Sequence, residues 1–190
     1  MMRRRKLRRC GLCEASNGPQ ENHESSLKPG LHFSKAGIQI MSSSLRILIA
    51  DDSSVTRRIV SEAFSREADM DVVGAAQDGE EAIAFFKAQE PDLVLLDVEM
   101  PGMNGIETLK AIRRLNGDVP IIMFCPMFAH TGEAKREALA AGATDYASKP
   151  IAVGHADRAM AFLKEEVVSK VRMLGNRYKT EVRNPTKSTF

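Results

Sequence analysis

The chain has 190 residues, of which 43% are hydrophobic and 27% are charged, with a net charge of +2. This suits one domain of ordinary size with tails. No apolar run approaches the roughly 20 residues needed to cross a bilayer, and the basic start lacks the apolar stretch of a secretory signal. We therefore expect a cytoplasmic protein that does not enter the membrane.

The charge is distributed unevenly along the chain. Residues 1–40 hold 8 Lys/Arg and 3 Asp/Glu, residues 41–163 hold 12 and 19, and residues 164–190 hold 7 and 3. An acidic body therefore lies between two basic ends. Such a body is poorly suited to bind nucleic acid through its own surface charge.

The two ends of the chain lack the periodicity of helices and strands. Residues 1–43 are predicted to be a disordered basic extension, and Met41 is a candidate for the true start because MSSS leads directly into an apolar strand. A folded domain is expected over 44–175. Residues 176–190 are predicted to be a basic tail or a truncated linker.

Between these ends, apolar strands alternate with amphipathic helices. The five strands are predicted over residues 45–50, 71–76, 92–97, 121–125 and 143–148. The five helices are predicted to begin after Ser53 or Ser54, after Asp78, after Asn104, near Gly132 and near residue 154, and to end near residues 64, 88, 117, 142 and 174. Glu81 and Glu107 lie three residues after Asp78 and Asn104, the spacing of a capping box.

This alternation predicts a doubly wound α/β fold with a parallel sheet and helices on both faces. Right-handed crossovers reduce the possible topologies. The strand order 2-1-3-4-5, known for flavodoxin-like folds, is the one that we expect.

Four acidic residues follow neighbouring strands of this predicted sheet. Asp51 and Asp52 come after the first strand, Asp97 ends the third, and Glu99 lies two residues later. Ligands of such sheets bind outside the carboxyl ends of the strands. Crowded carboxylates repel one another, and Mg²⁺ binds to a few carboxylates together with water and phosphoryl oxygens. A magnesium site is therefore predicted, although any single acid could be a solvated end of a strand.

A lysine is expected at the same edge. Lys149 ends the fifth strand, and its ammonium suits a phosphoryl oxygen. Carboxylates, a metal ion and a lysine suit phosphoryl transfer, which depends on positioning and charge neutralisation. No glycine-rich G-x-x-x-x-G-K-[ST] loop is present, so the sequence does not indicate nucleotide binding.

Three segments resemble the response-regulator receiver family of two-component signalling: LRILIADDSSVTR, PDLVLLDVEMPGMNGIE and GATDYASKP. The resemblance spans about 45–150 and implies a CheY-like fold. It implies that Asp97 accepts a phosphoryl group from a sensor histidine kinase, and that Lys149 contacts this group. It also implies that Asp51, Asp52, Asp97 and the backbone carbonyl of Glu99 bind Mg²⁺.

One position departs from the family pattern. Cys125 ends the fourth strand, where the family usually has a Thr or Ser whose hydroxyl donates to the phosphoryl group, and a thiol is a weaker donor. Tyr146 matches the aromatic residue that the family couples to that hydroxyl. We therefore expect phosphorylation to be coupled to output more weakly than in the family, whereas the residues of the acceptor site match the family pattern. The resemblance also makes Pro150 a candidate for a cis peptide bond.

The wording of these motifs is closest to the receiver half of the chemotaxis protein-glutamate methylesterase. No G-x-S-x-G elbow or other nucleophile motif occurs in this chain. The leading interpretation is a phosphorylated switch that acts on an output protein through helix 4, strand 5 and helix 5. The alternatives are a truncated methylesterase without its catalytic domain and a pseudo-receiver that acts by binding alone. A DNA-binding domain is not expected in the 16 residues after the last predicted helix.

Overall fold

The structure is a computed structural model that describes residues 44–126, 132–150 and 156–183. The predicted extension over residues 1–43, with its candidate start at Met41, lies outside the described residues, as do residues 184–190. None of the helices in the described part is both long and apolar enough to cross a membrane.

Five parallel strands form one sheet of order β2-β1-β3-β4-β5, which confirms the predicted fold class and topology. The strands are β1 (Leu45–Ala50), β2 (Met70–Ala76), β3 (Leu93–Asp97), β4 (Ile121–Pro126) and β5 (Asp145–Lys149). The fifth strand begins two residues later and ends one residue later than predicted. Lys149 therefore belongs to β5, where it pairs with Pro126 of β4.

Four helices connect the strands and a longer C-terminal helix completes the fold. The connecting helices are α1 (Ser54–Ser65), α2 (Gly79–Gln89), α3 (Gly105–Leu115) and α4 (Gly132–Ala140). The C-terminal helix consists of consecutive segments without a break: α-helical Ala156–Phe162, π-helical Leu163–Val168, α-helical Ser169–Tyr178 and π-helical Lys179–Arg183.

The central strands are buried on both faces because helices cover both sides of the sheet. Every residue of β3 is buried, and β1 has one half-buried position, Arg46. Two apolar clusters result. One joins Ile47, Phe64 and the C-terminal helix on one face, and the other joins Leu48, Leu109 and the residues around them on the opposite face.

The predicted N-terminal caps are confirmed in two helices and modified in a third. The Ser53 hydroxyl accepts from the backbone N–H of Thr56 at the start of α1. Asn104 and Glu107 form a reciprocal capping box at α3. The Asp78 side chain caps α2 by accepting from the Glu81 backbone N–H. The Glu81 carboxylate accepts from the backbone N–H of Gln77, whereas a capping box would require the backbone N–H of Asp78.

The prediction that the last helix ends near residue 174 is wrong, because the helix continues to Arg183. The segment from residue 176 to 183, predicted as part of a basic tail, is helical. Its Tyr178 hydroxyl accepts from the Asn116 side chain at 3.1 Å, and Lys179 Nζ donates to the Ser44 carbonyl at 3.1 Å. These contacts at the amino edge of the sheet hold the last turns in place.

Two further contacts hold the C-terminal helix on the amino edge of the sheet. Asp92, which is 1% exposed, accepts from the Arg46 backbone N–H at 3.0 Å and lies 3.7 Å from Lys179 Nζ. Gly175 is buried against β1, and a Cβ at this position would lie 2.4 Å from the nearest atom of the Leu45 side chain. The C-terminal helix thus lies directly on the start of β1.

Gly175→Ala is expected to destabilise the protein, although alanine is the better helix former. Alanine gains up to about 1 kcal/mol of helix propensity, but forcing extra volume into a packed site costs about 1–3 kcal/mol. We expect a net loss of about 1 kcal/mol in the free energy of unfolding, measured by urea denaturation. Asn176→Ala, at the exposed neighbouring position, is the matched control and should leave stability unchanged or slightly raised. A more stable Gly175→Ala variant would contradict the close packing of this helix on β1.

Candidate metal and phosphoryl site

The predicted acidic residues meet at the carboxyl edge of the sheet. Asp51 and Asp52 follow β1, and Asp97 is the last residue of β3, the neighbour of β1 in the sheet. One carboxylate oxygen from each of the three lies within 4.8 Å of the other two. Asp51 and Asp97 are buried, whereas Asp52 is exposed. The site is therefore closed around Asp51 and Asp97 and open to solvent beside Asp52.

Lys149 reaches this cluster from β5. Its Nζ lies 2.8 Å from Asp51 Oδ2 and 2.6 Å from Asp97 Oδ2. Neither Oδ2 atom accepts a well-formed hydrogen bond within the described part of the chain. The Lys149 ammonium is therefore the group that compensates the charge on both oxygens. A single ammonium therefore bridges two buried carboxylates.

The remaining carboxylate oxygens organise the adjacent loops. Asp51 Oδ1 accepts from the Ser53 backbone N–H at 2.9 Å, and Asp97 Oδ1 accepts from the Glu99 backbone N–H at 3.3 Å. In each case an aspartate at a strand end bonds to the backbone two residues later, as short acidic side chains commonly do. Each buried carboxylate is thereby held at one oxygen and directs the other towards Lys149.

Burial and charge act on these groups in opposite directions. Burial, with the nearby charge of Asp51, raises the pKa of Asp97 to about 6, although contact with Lys149 lowers it. For Lys149, burial lowers the pKa, but the contacts with Asp51 and Asp97 outweigh it and raise the pKa above its usual value. Lys149 is therefore a cation at neutral pH, and Asp97 takes up a proton more readily than an ordinary aspartate does.

The turn from β3 into α3 requires glycine at one position. A Cβ on Gly105 would lie 1.9 Å from the backbone carbonyl oxygen of Asp97. The Gly105 N–H also donates to the Val98 carbonyl at 3.0 Å. Any larger residue would push α3 away from the end of β3, so Gly105 fixes the loop that carries Asp97 and Glu99. The sequence alone does not distinguish this glycine from the others in the chain.

Cys125 lies near Asp97, one residue before the end of β4. It is 8% exposed, and its Sγ lies 3.8 Å from the Ala147 carbonyl of β5. Burial, together with the charge of Asp97, raises the pKa of the thiol. Cys125 is therefore a neutral thiol at neutral pH, close enough to Asp97 for the charge of this carboxylate to act on it.

Tyr146 is half-buried on β5 between two lysines that no sequence motif indicates. Lys135 of α4 donates to the Tyr146 hydroxyl and lies 3.9 Å from the centre of its ring. Lys170 of the C-terminal helix donates to the Tyr146 carbonyl at 2.7 Å and pairs with Asp145 at 3.2 Å. Tyr146 thus connects α4, β5 and the C-terminal helix, the three elements predicted to form the output surface.

Two predicted features of this edge stay predictions. They are the contribution of the Glu99 backbone carbonyl to metal binding and a cis peptide bond before Pro150. No contact among the described residues tests either of them.

On the open side of the site, a groove of about 760 Å³ runs past Asp52, Glu99, Met100 and Ile106. A second molecule can therefore approach the cluster from this side.

A five-stranded 2-1-3-4-5 sheet with acidic residues and a lysine at its carboxyl edge defines the CheY-like class of receiver folds. Residues 47–160 match the family model described as the response regulator receiver domain. The chain belongs to this family.

Two curated relatives illustrate the similarity, and both are named protein-glutamate methylesterase/protein-glutamine glutaminase. The one from Nocardioides sp. is 42% identical over 130 residues, which cover 68% of this chain and 36% of the relative. The one from Trichodesmium erythraeum is 39% identical over 132 residues, which cover 70% and 38%. The chain thus spans little more than a third of the length of these relatives.

Two solved structures are also similar to this chain. The response regulator domain of Thermotoga maritima CheB is 32% identical with a TM-score of 0.62, and the match covers 70% of this chain and 97% of that one. The Vibrio cholerae chemotaxis protein CheY4 is 29% identical with a TM-score of 0.54, over 65% and 98%. The match therefore covers almost the whole of each of these two solved structures.

Receiver domains generally use Mg²⁺ at such an acidic pocket, and the donor set here fits that ion. Three carboxylates supply hard oxygen ligands, and two buried oxygens have no well-formed hydrogen bond. Asp51, Asp52 and Asp97 are the side chains that would hold the ion. Bound there, Mg²⁺ would neutralise charge on the carboxylates and on a phosphoryl group.

Millimolar Mg²⁺ is expected to raise the melting temperature of the wild-type protein, because a ligand that binds only the folded state stabilises it by mass action. Asp52→Ala should abolish most of this rise while leaving the metal-free protein folded, since Asp52 is exposed. The measurement is a thermal melt in EDTA and in increasing Mg²⁺.

Asp71→Ala is the matched control for this experiment. Asp71 is also an exposed aspartate, but it lies at the amino end of β2, at the opposite edge of the sheet. Its Mg²⁺ response should equal that of the wild type. If Asp52→Ala responds to Mg²⁺ as strongly as Asp71→Ala does, Asp52 is not a ligand.

Proposed function

We propose that this chain is a phosphorylatable receiver in which Asp97 accepts a phosphoryl group in a Mg²⁺-dependent reaction. The observation that carries the proposal is the combination at one sheet edge of the buried Asp97, two further aspartates within 4.8 Å, and a lysine 2.6 Å away. Each component has a role in phosphoryl transfer, which depends on positioning and charge neutralisation more than on acid–base chemistry.

In the proposed step, a carboxylate oxygen of Asp97 forms a bond to the phosphorus atom of the donor. The bond from phosphorus to the donor's histidine nitrogen breaks, and its electron pair leaves with the imidazole. The product is an acyl phosphate on Asp97. The phosphoryl group brings additional negative charge next to Asp51 and Asp97. Lys149 Nζ would therefore give up part of its contact with these carboxylates and bind a phosphoryl oxygen.

The partners follow from the family. Receiver domains are phosphorylated by histidine kinases and act on output domains. For this chain we infer that a sensor histidine kinase is the donor and that output passes through α4, β5 and the C-terminal helix. The contacts of Tyr146 with Lys135 and Lys170 support this surface, because they connect its three elements.

Asp97→Asn is expected to abolish labelling by acetyl phosphate in the presence of Mg²⁺. The amide has nearly the shape of the carboxylate, but its oxygen is a much weaker nucleophile towards phosphorus. The measurement is the intact mass of the protein, in which an acyl phosphate adds the mass of one phosphoryl group to the wild type.

Asp118→Asn serves as the control because Asp118 is exposed and lies before β4, at the opposite edge of the sheet. This variant should be labelled as the wild type is. Undiminished labelling of Asp97→Asn would exclude Asp97 as the acceptor, and unlabelled wild-type protein would favour a pseudo-receiver that acts by binding alone.

Replacing Cys125 by Thr or Ser is expected to enlarge the phosphorylation-dependent change around Tyr146. A hydrogen bond to a charged group contributes about 1.5–3 kcal/mol, and a thiol supplies only part of this. A recovery of about 1.4 kcal/mol corresponds to a roughly tenfold change in the ratio of active to inactive states. The readout is the NMR shift of residues around Tyr146 with and without beryllofluoride and Mg²⁺.

Cys125→Ala provides the comparison for the hydroxyl variants because it removes the thiol without adding a donor. Its spectral change should be no larger than that of the wild type. If the wild type already shows a complete shift and the hydroxyl variants add nothing, the thiol is an adequate substitute and Cys125 has no special role in switching.

The similarity to two methylesterases favours a second candidate function. In it, the chain is the receiver half that regulates a methylesterase catalytic domain. A hydrolase coding frame directly downstream of this one would support this candidate. Both candidates depend on phosphorylation of Asp97, so they differ in the output and not in the chemistry of the site.

A further inference from the structure

The two aspartates that follow β1 are held very differently. Asp51 is fixed by its carboxylate contacts with Ser53 and Lys149 and by its N–H, which donates to the Ala76 carbonyl at 3.1 Å. Asp52 is exposed, and among the described residues no hydrogen bond or ion pair reaches its carboxylate. The direction of the Asp52 side chain therefore depends on the backbone that carries it.

Arg57 holds this backbone. Its Nη1 donates to the carbonyl of Asp51 at 2.6 Å and to the carbonyl of Asp52 at 3.0 Å. Arg57 itself is fixed in α1, where its N–H donates to the Ser53 carbonyl at 3.0 Å. One guanidinium nitrogen thus connects both residues of the acidic pair to the first turn of the helix.

We propose that Arg57 is a positioning residue for the metal site, a role that rests on the proposed function of Asp51 and Asp52 as Mg²⁺ ligands. The choice of acceptor atoms is the reason. A guanidinium bound to the carboxylates would compete with a metal ion for the same oxygens. Bound to the carbonyls, it leaves the carboxylate oxygens available and still restricts the orientation of the pair.

Two effects of Arg57 on Mg²⁺ affinity oppose each other, so their net sign is measurable. The positive charge repels the ion, but this repulsion is weakened by solvent and salt near the surface. The two hydrogen bonds reduce the freedom that the loop would lose on binding the ion. If positioning dominates, removing Arg57 weakens Mg²⁺ binding. If repulsion dominates, removing it strengthens binding.

The neighbouring residue supplies a matched control. Arg58 carries the same charge on the same helix and is exposed, and no hydrogen bond of its side chain occurs in the described part of the chain. Arg58→Met removes a charge alone, whereas Arg57→Met removes a charge and two backbone contacts. Arg57→Lys keeps the charge and one donor group, so it should restore most of the wild-type affinity.

The test is an NMR titration of each full-length variant with Mg²⁺, followed through the backbone amides of residues 51–53 and 97–99. Arg57→Met is expected to raise the Kd for Mg²⁺ several-fold, up to about tenfold, because the freed loop loses more conformational freedom when it binds the ion. Arg58→Met should have a Kd equal to or slightly below that of the wild type. Melting in EDTA measures the stability of each metal-free variant, and the Kd of a variant that is still folded then reports positioning separately from general stability.

Equal Kd values for Arg57→Met and Arg58→Met, or tighter binding by Arg57→Met, would overturn the role of Arg57 and leave the proposed function intact. Failure of Arg57→Lys to improve on Arg57→Met would also overturn it. If the wild-type protein itself bound no Mg²⁺ at these residues, the proposed function and the role of Arg57 would both fail.

Discussion

The ion pairs of Lys149 are the interaction on which the site depends. Asp51 and Asp97 are 0% and 1% exposed, and two ionised carboxylates cannot be buried side by side without a compensating cation. The ammonium provides it at 2.8 and 2.6 Å. Three carboxylates and one ammonium still leave two negative charges at this edge of the sheet. A divalent cation would match that excess, which is a physical reason to expect Mg²⁺ rather than a monovalent ion at this cluster.

The same arrangement would make Lys149 respond to the proposed phosphorylation of Asp97. A phosphoryl group would add negative charge beside the carboxylates and draw the ammonium towards a new partner. Lys149 is the last residue of β5, and Tyr146 lies on the same strand with α4 and the C-terminal helix bound to it. A change of partner at one end of β5 is therefore close to the contacts that connect the output surface. In the proposed function, the weaker donor at Cys125 would make Lys149 the stronger of the two connections between the phosphoryl group and this surface.

Most of the fold and the centre of the site could be predicted because they follow from short-range patterns. Strands buried on both faces give continuous apolar runs such as DLVLLD, and the ends of parallel strands meet at one edge whatever the loops do. Asp51, Asp97 and Lys149 were therefore brought together by topology alone, with the order of strands taken from a known class of fold. The boundaries of β5 were less well predicted, because its residues are mostly half-buried and its sequence has no strong apolar run.

What could not be predicted depends on contacts between residues far apart in the sequence, or on backbone atoms that carry no sequence signal. The sequence of the last turns of the C-terminal helix is typical of a polar tail. In the structure, however, Lys179 contacts Asp92 and Ser44, the residues immediately before β3 and β1. Arg57 reads as one of two surface arginines, and only the geometry of the loop distinguishes it from Arg58. A guanidinium that binds carbonyl groups leaves no pattern of opposite charges in the sequence. Residues that position a site through the backbone are for this reason the hardest part of a site to predict, even where its acidic ligands are evident from their places at the strand ends.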